Sequence, residues 1–442
     1  MRYFPQTDAD IKEMLQVVGA GSIDELFDAI PADCRMADAP DLPGPFSEWE
    51  LTSRLQDMAA SAGGDWKVFL GAGSQAHNIP AIVPYLAGRS EFLTSYTPYQ
   101  PEMSQGTLQA IFEFQTLVSR LTGLAVSNAS MYDGSTAMAE AALMAQRITR
   151  RRTVAVSRLV HPFWLEVLKT YLAPAADVQL VVLPAGEDGR TSLAPLAGLN
   201  EPAVLIMQSP NFLGVIEDIE AAAGAIHNAG GLLAAGYSEP FALGLVKSPG
   251  EQGADIAFGE GQSLGLPQSF GGPGLGLLSC RAEFVRQIPG RLVGQALDNR
   301  GQRGFVLTLS AREQHIRRSK AVSNICSNSG HCAITAAIFM AAAGGTGFRN
   351  IAQANRDLAE YLKERLSAIG FRPLSDACTF NEFAMIAPKD FAERHQALCK
   401  KSILAGICLA DFYPEYPDAW LFGVTETKTR ADIDALIREI QA

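Results

Sequence analysis

Four stretches of this 442-residue chain gather residue types that bind anions or do amino-acid chemistry. In residues 94–106 (TSYTPYQPEMSQG), two prolines stiffen a loop crowded with hydroxyls, amides and a carboxylate. An amphipathic helix follows, with Ser104 as N-cap, Leu108, Ile111, Phe112, Gln115 and Val118 on one face, and an end at Gly123. A rigid polar loop feeding a helix N-terminus suits an amino-acid carboxylate, because backbone N–H groups and the helix dipole both favour anions. Thr97, Tyr99, Gln100, Glu102, Ser104 and Gln105 are its candidate pocket residues; the competing reading is an ordinary hydrogen-bonded turn. Residues 128–136 (NASMYDGST) place a Gly-Ser-Thr turn before an Ala-rich helix, so Ser135 and Thr136 are candidate anion donors. Any capped helix shows that pattern. Residues 259–264 (GEGQSL) and 270–274 (FGGPG) form a Gly-rich stretch whose Gly271 and Gly272 could offer backbone amides. Residues 69–77 (FLGAGSQAH) hold two of three dinucleotide-fingerprint glycines, with no strong strand before them and no suitably placed acidic residue after them. A turn whose backbone lies close to a ligand or partner fits them better.

The elements that must position these stretches follow from periodicity. Two helical patterns open the chain, one behind Thr7 or Asp8 with Ile11, Met14, Leu15 and Val18 on one face, the other opened by Ser22. A Pro-rich connector, residues 39–45, then excludes regular structure. Short apolar runs at 153–157, 178–183, 203–208, 232–235 and 255–258 alternate with helical stretches at 135–147, 162–172 and 218–228. Fully apolar short strands separated by helices mean a mostly parallel sheet covered on both faces. A Gly-rich run at 275–279 follows a loop and reads as an antiparallel addition. Beyond Cys326, two helical patterns precede strands at 382–386, 407–409 and 420–424 and a closing helix capped at Thr429. The expected fold is α/β: an N-terminal helical arm (1–60), a large domain with a mostly parallel sheet (61–325) and a small C-terminal α+β domain (326–442).

That layout is shared with fold-type I pyridoxal-phosphate transferases, although layout alone is analogy. In such enzymes the Schiff-base lysine follows the strand that here ends at Phe258. Ten lysines occur in the chain, and between Lys169 and Lys320 only Lys247 is present, in a turn before that strand. The strand at 232–235 likewise runs into Ala234-Ala235-Gly236 where an aspartate would pair with the pyridine nitrogen. Covalent amine chemistry needs the lysine, so the chain reads as lacking it.

Long strings carry a more specific likeness: MRYFPQTDADI, SIDELFDAIP, FLGAG, SYTPYQPEMSQG, NASMYDGSTAMAEA, QSPNFLGVIED, GADIAFGEGQSLGLP, FGGP, PGRLVG and GQRGFVLTLSAREQHIRRSKAVSNIC. Over nearly its whole length the chain resembles the alpha-subunit (subunit 1) family of two-chain glycine dehydrogenase (decarboxylating), the P-protein of the glycine cleavage system. Gln75 stands where a tyrosine would be usual. The resemblance implies an oxidoreductase subunit. The family's P-protein binds glycine as an aldimine on pyridoxal phosphate, releases carbon dioxide and passes the aminomethyl group to the lipoyl disulfide of H-protein. It implies that Gln262, eleven residues before Pro273, stands at the cofactor-lysine position, so that no catalytic residue is expected in this chain alone. Pyridoxal phosphate is then expected on the partner beta subunit and not covalently here, with the chains pairing as αβ and assembling as α2β2. The 97–105 loop would wall the glycine pocket across the interface, led by Tyr99, Gln100 and Glu102. Gly271 or Gly272 would reach the partner's cofactor phosphate in trans, and Ser135 and Thr136 would be vestigial.

Composition bounds the alternatives. A net charge of −11 argues against nucleic acid and anionic membranes, and Arg150–Arg152 suits a helix C-terminus. Seven scattered cysteines, never spaced CxxC, read as reduced core thiols with no metal site, and the N-terminus has no apolar signal region. The expected location is the cytoplasm. His77 and His161 are open between structural and site roles. The basic run around His315, Arg317 and Arg318 reads as a helix face, with H-protein docking as a weaker alternative. Two further readings compete: a self-sufficient decarboxylase or transaminase using Lys247, and a scaffold or regulatory protein without cofactor chemistry.

Overall fold

The computed structural model describes residues 5–36, 38, 40–63, 66–93 and 96–442. Residues 1–4 of the first motif, Ala39 of the connector, and Thr94 and Ser95 of the polar loop lie outside the described residues. The chain forms two compact units, Met1–Gly64 and Asp65–Ala442.

In the first unit α1 (Asp8–Val18) begins where expected. Thr7 caps it in a reciprocal box with Asp10, and Gly19 ends it at φ 75°. The second expected helix is only a single 3-10 turn, Asp24–Phe27. Its four residues lie between Gly21 and Pro31, too short a run for α-helix to propagate. Residues 40–47 are irregular, as the prolines require. A helix that the periodicity reading missed, α2 (Glu48–Gly63), follows behind a Ser47–Glu50 capping box. None of this unit's described residues is buried, and Met14, Phe27, Trp49, Leu55 and Met58 are exposed.

The second unit runs β1 (Lys67–Val68), α3 (Ile82–Ala87), α4 (Ser90–Leu93), α5 (Gln105–Thr122), β2 (Val126–Ser127), α6 (Gly134–Thr149), β3 (Thr153–Ser157), α7 (Pro162–Leu172), β4 (Gln179–Leu183), β5 (Pro202–Gln208), α8 (Ile219–Asn228), β6 (Leu232–Tyr237), β7 (Ile256–Glu260) and β8 (Gly276–Cys280). These strands form a seven-stranded sheet in the order β2-β8-β7-β6-β5-β3-β4. Strands β3 to β7 are parallel, and β8 joins β7 antiparallel, as its Gly-rich lead-in suggested. Successive strand residues face opposite sides: Val154, Val156, Val204 and Ile206 pack under α6 and α7, whereas Ala155, Leu205 and Met207 pack under α8. Alanines 137, 139, 141, 142 and 145 let α6 lie close on the sheet. Burying a side chain such as Leu168 there contributes about 1.5–3 kcal/mol. Arg150 ends α6 in the left-handed conformation, so the basic run does sit at a helix C-terminus.

A hairpin of β9 (Leu292–Leu297) and β10 (Arg303–Thr308) stands outside this sheet and was not anticipated. The expected helix face at 312–318 is only one turn, α9 (Gln314–Arg317), ended by Arg318 at φ 51°. The next helix, α10 (Gly330–Ser367), is two helices joined at Gly344, which is non-helical at φ 61°, ψ 178°. By length and composition α10 could cross a membrane, but half of its most apolar window is buried inside the protein. Then come β11 (Arg372–Pro373), β12 (Glu382–Ile386), α11 (Phe391–Lys400), β13 (Ile403–Leu404), β14 (Ile407–Cys408), β15 (Ala419–Gly423) and α12 (Arg430–Gln441), the last capped by Thr429. Strands β11-β12-β15-β14 make an antiparallel sheet. Strand β1 pairs with β13, and Leu70 bridges to Phe422, so residues 67–70 build onto this C-terminal layer. Only Cys280 and Cys332 are buried; Cys34, Cys326 and Cys378 are exposed, which corrects the reading of all seven as core thiols.

Candidate functional site

The carboxyl ends of parallel strands are where open α/β sheets bind ligands. Here that edge holds a cavity of about 480 Å³ lined by Gly73, His161, Trp164, Glu260, Gln262 and Gly274, among others. Helix α6 points its N-terminus at it. Asp133 caps the helix: its carboxylate accepts the Thr136 amide (2.8 Å) and the Ser135 hydroxyl (2.6 Å). The Gly134 amide donates to Glu260 Oε2 (2.8 Å), while Glu260 Oε1 accepts the amides of Leu275 (3.0 Å) and Gln262 (3.1 Å). Burial pushes the Glu260 carboxyl up to about 7, against the pull of these amides. The donors at the start of α6, Ser135 and Thr136 among them, are thus taken by two of the chain's own carboxylates.

Gln262 lies at the head of this cavity, two residues beyond β7. Its Nε2 donates to the Leu266 carbonyl at 2.7 Å, and its Oε1 is buried without a partner. No lysine is among the described residues lining the cavity. Lys247 is exposed and pairs with Glu220 at 3.6 Å. At Gly236 a Cβ would overlap the Phe258 ring, so no carboxylate side chain fits at that position. Pyridoxal phosphate does not fit these residues. No lysine is on its described walls, Gly236 has no room for an acid, and Asp133 and Glu260 occupy the donors a phosphate would use.

The Gly-rich turn at 71–77 lines the cavity with Ala72, Gly73 and Ser74 and is tied to the C-terminal layer through Glu382. Ala72 and Gly73 both have positive φ, 76° and 80°. The Gly73 amide and the Gln75 carboxamide donate to Glu382, at 2.9 and 2.5 Å, and burial pushes that carboxyl up to about 7. His77 sits between Glu239 (3.0 Å) and Glu426 (2.9 Å). Burial alone would lower its pKa, but the two carboxylates outweigh burial and raise it to about 10. His161 caps α7: its Nδ1 accepts the Phe163 amide (3.2 Å), which leaves Nε2 to donate to the Ala72 carbonyl (3.2 Å). Burial lowers its pKa, which favours the neutral ring.

The 97–105 loop is held from beneath by Arg291. This buried guanidinium donates to Thr97 Oγ1 (3.2 Å), Tyr99 OH (2.8 Å) and Asn328 Oδ1 (3.3 Å), and it stacks 5.0 Å from the Tyr99 ring centroid. Gln105 is occupied differently. Its carboxamide exchanges hydrogen bonds with both backbone groups of Phe305 (2.8 and 2.9 Å), clamping α5 to β10. Ser104 is the N-cap by position but makes no side-chain capping bond. Phe112, expected on the buried face of α5, is half-buried, and Phe114 takes the core position. Tyr96, Tyr99, Gln100, Glu102 and Met103 are exposed, Tyr96 to 89%. The 270–273 turn also projects outward. Phe270 is fully exposed, and nothing lies within 4 Å of a Cβ placed on Gly271 or Gly272.

Residues 1–440 match the model of a family described as the glycine cleavage system P-protein. The chain belongs to that family. It is 51% identical over 444 residues to a protein of Desulfotalea psychrophila named "Probable glycine dehydrogenase (decarboxylating) subunit 1", covering 100% of this chain and 98% of that one. A Thermotoga maritima protein of the same name is 44% identical, with 99% of each chain covered. Among solved structures, an inhibitor-bound glycine decarboxylase (P-protein) superposes with a TM-score of 0.91 at 44% identity, covering 100% of this chain and 99% of that one. A NifS-like protein (TM-score 0.62, 13% identity, 85% of this chain and 98% of that one) and a Burkholderia pseudomallei sphingosine-1-phosphate lyase (0.61, 15%, 92% of each) share the fold alone. The expected fold-type I architecture is the one this P-protein chain has.

Within this P-protein chain the expected site residues separate into two places. Gln262, Gly271 and Gly272 line the cavity, with Ser135 and Thr136 just behind its Asp133 wall, whereas Thr97, Tyr99, Gln100 and Glu102 sit on the loop over Arg291. Sequence reasoning missed Arg291, Asn328, Glu239, Glu382 and Glu426. Arg291 lies inside the PGRLVG string, yet nothing local marks it as the loop's anchor, because its side-chain hydrogen-bond partners are 37 to 194 residues away.

Proposed function

We propose that this chain is the non-catalytic subunit of a two-chain glycine decarboxylase. It pairs as αβ with a beta subunit that carries pyridoxal phosphate, and the pairs assemble as α2β2 in the cytoplasm. Together they release the carboxyl group of glycine as carbon dioxide and pass the aminomethyl group to the lipoyl group of H-protein. The observation that carries this reading is Gln262, a tethered carboxamide in a cavity with no lysine on its described walls.

What this chain contributes is surface. Thr97, Tyr99, Gln100, Glu102, Ser104 and Gln105 form or anchor a wall for the glycine pocket across the subunit boundary. The Tyr99 phenol already accepts from Arg291, so its own proton is left to donate outward. The first-turn amides of α5, uncapped by Ser104, favour an anion. Gly271 and Gly272 present backbone amides in the outward turn, toward a phosphate held by the partner. The exposed apolar residues of the arm, 1–60, suit burial in an oligomer, and 61–325 and 326–442 serve as the large and small domains.

Reconstitution tests the reading. The chain alone, given pyridoxal phosphate, is expected to show no lysine-linked absorbance and no glycine–bicarbonate exchange, and exchange is expected to appear on adding the beta subunit. A lysine-linked chromophore in the lone chain would overturn it. So would exchange by the beta subunit that does not depend on this chain.

A further inference from the structure

We infer that Glu260 is a built-in anion plug: its carboxylate takes the seat at the N-terminus of α6 that a phosphate would need, and with Asp133 it keeps this chain's own cavity shut to phosphorylated ligands whatever residue stands at 262. The inference rests on the proposed function only in reading the cavity as a lapsed cofactor site.

A 16-residue helix aimed at the carboxyl ends of parallel strands is an anion site by its dipole and its unpaired amides. Those donors are already committed. Gly134 N–H goes to Glu260, while Thr136 N–H and the Ser135 hydroxyl go to Asp133. Glu260 is held at both oxygens, so it cannot swing aside without leaving the amides of Leu275 and Gln262 unpaired as well. The Trp164 ring crowds Gly134 from the other side: a Cβ there would come within 2.5 Å of it. A phosphate entering this end of the cavity meets two carboxylates and no cation, since neither lysine nor arginine is among its described lining residues. Charge and the commitment of the Gly134 and Thr136 amides act together. The Gln262 position is therefore the second obstacle to cofactor binding, and Glu260 is the first.

The test titrates the full-length chain with pyridoxal phosphate at pH 8, where Glu260 is ionised, comparing wild type, Q262K, E260A and E260A/Q262K. The readouts are absorbance and, after borohydride reduction, peptide mapping of the adduct. E260A is expected to bind about tenfold more tightly than wild type, the order set by removing one like charge beside a partly desolvated anion. The reduced adduct at position 262 is expected in E260A/Q262K and not in Q262K. Equal binding by wild type and E260A, or an adduct at 262 in Q262K matching that in the double variant, would overturn the plug. Where E260A is unstable, E260Q is read instead. It removes the charge at nearly constant volume and is expected to tighten binding about threefold; unchanged affinity overturns the inference. These readouts need no partner subunit, so their failure is distinct from loss of glycine–bicarbonate exchange.

Discussion

The amide of Gly134, first residue of α6, donates to the carboxylate of Glu260, 126 residues further along the chain, at 2.8 Å. This bond joins the N-terminus of the central helix to the end of β7 and places a titrating acid in the cavity. Several measurable consequences follow from it and from the other buried charges.

Stability should depend on pH through the buried glutamates. Glu260 and Glu382 are both pushed up to about 7 by burial, from an ordinary glutamate value of 4.5. An acid whose pKa is raised on folding binds its proton more tightly in the folded state. Its burden is therefore absent below 4.5, grows as pH rises, and is complete above 7. Urea midpoints should fall between pH 5 and 7, and E260Q and E382Q should each flatten part of that slope, by at most roughly 3 kcal/mol. Unchanged slopes in both variants would contradict the assignment.

His77 should act in the opposite sense. Its pKa is raised to about 10 by Glu239 and Glu426, so its stabilisation is complete below 6.5 and is lost as pH climbs through 10. H77Q leaves two buried carboxylates without their cation and should destabilise by about 3–5 kcal/mol at neutral pH. Thermal melts of H77Q from pH 6.5 to 10 should show a shallower alkaline decline than wild type.

Gly134→Ala should unfold the chain more easily. The added methyl meets the Trp164 ring at 2.5 Å and the Glu260 amide at 3.0 Å, so one of them must move. A loss of about 1–3 kcal/mol is expected from denaturant titration.

The loop over Arg291 should be separable into anchor and contact. R291A removes donors to Thr97, Tyr99 and Asn328 and should cost about 2–4 kcal/mol of stability. R291K should not rescue it, because an ammonium cannot reproduce the fork or the ring stacking. Y99F takes one acceptor from the buried Arg291 guanidinium and should cost about 1–3 kcal/mol, so its kinetics are read at a temperature where the folded chain persists. In the reconstituted pair, Y99F should raise the KM for glycine about tenfold, the value of one hydrogen bond to a charged group. An unchanged KM would remove Tyr99 from the pocket wall.

Deleting residues 1–60 should shrink the assembly. Trp49, Leu55 and Met58 are exposed in this chain, and apolar surface of that kind marks an interaction site. Size-exclusion of the truncated chain with its beta subunit should give a smaller or dissociated complex; an unchanged size would exclude the arm from assembly.

The alternating strands and helices from 153 to 260 were legible because apolar runs such as Val154–Val156 and Leu205–Met207 are buried on both faces. The caps at Thr7 and Thr429 were legible because they act within three residues. The hairpin at 292–308 was not: Gly294 and Gly304 interrupt its pattern, and its register is set by Gln105 and Gln115 from a distant helix. The absence of lysine near Gln262 could be read from the positions of the ten lysines in the sequence. That Glu260 fills an anion seat could not, because the seat is made by Gly134 and Leu275 from two other segments.

Strand β1 has a consequence for how the chain acquires its shape. Its two residues pair with Ile403 and Leu404, and Phe69 is sealed in a core with Leu362, Phe383, Phe391 and Phe422. The C-terminal layer cannot close on its own sequence: it waits for a segment more than 330 residues upstream. Residues 403 and 404 supply the partner strand for residues that left the ribosome long before them. Such high sequence separation slows the final closure. A fragment beginning at 326 would expose the seat of Phe69 as an open apolar trough, ready to aggregate.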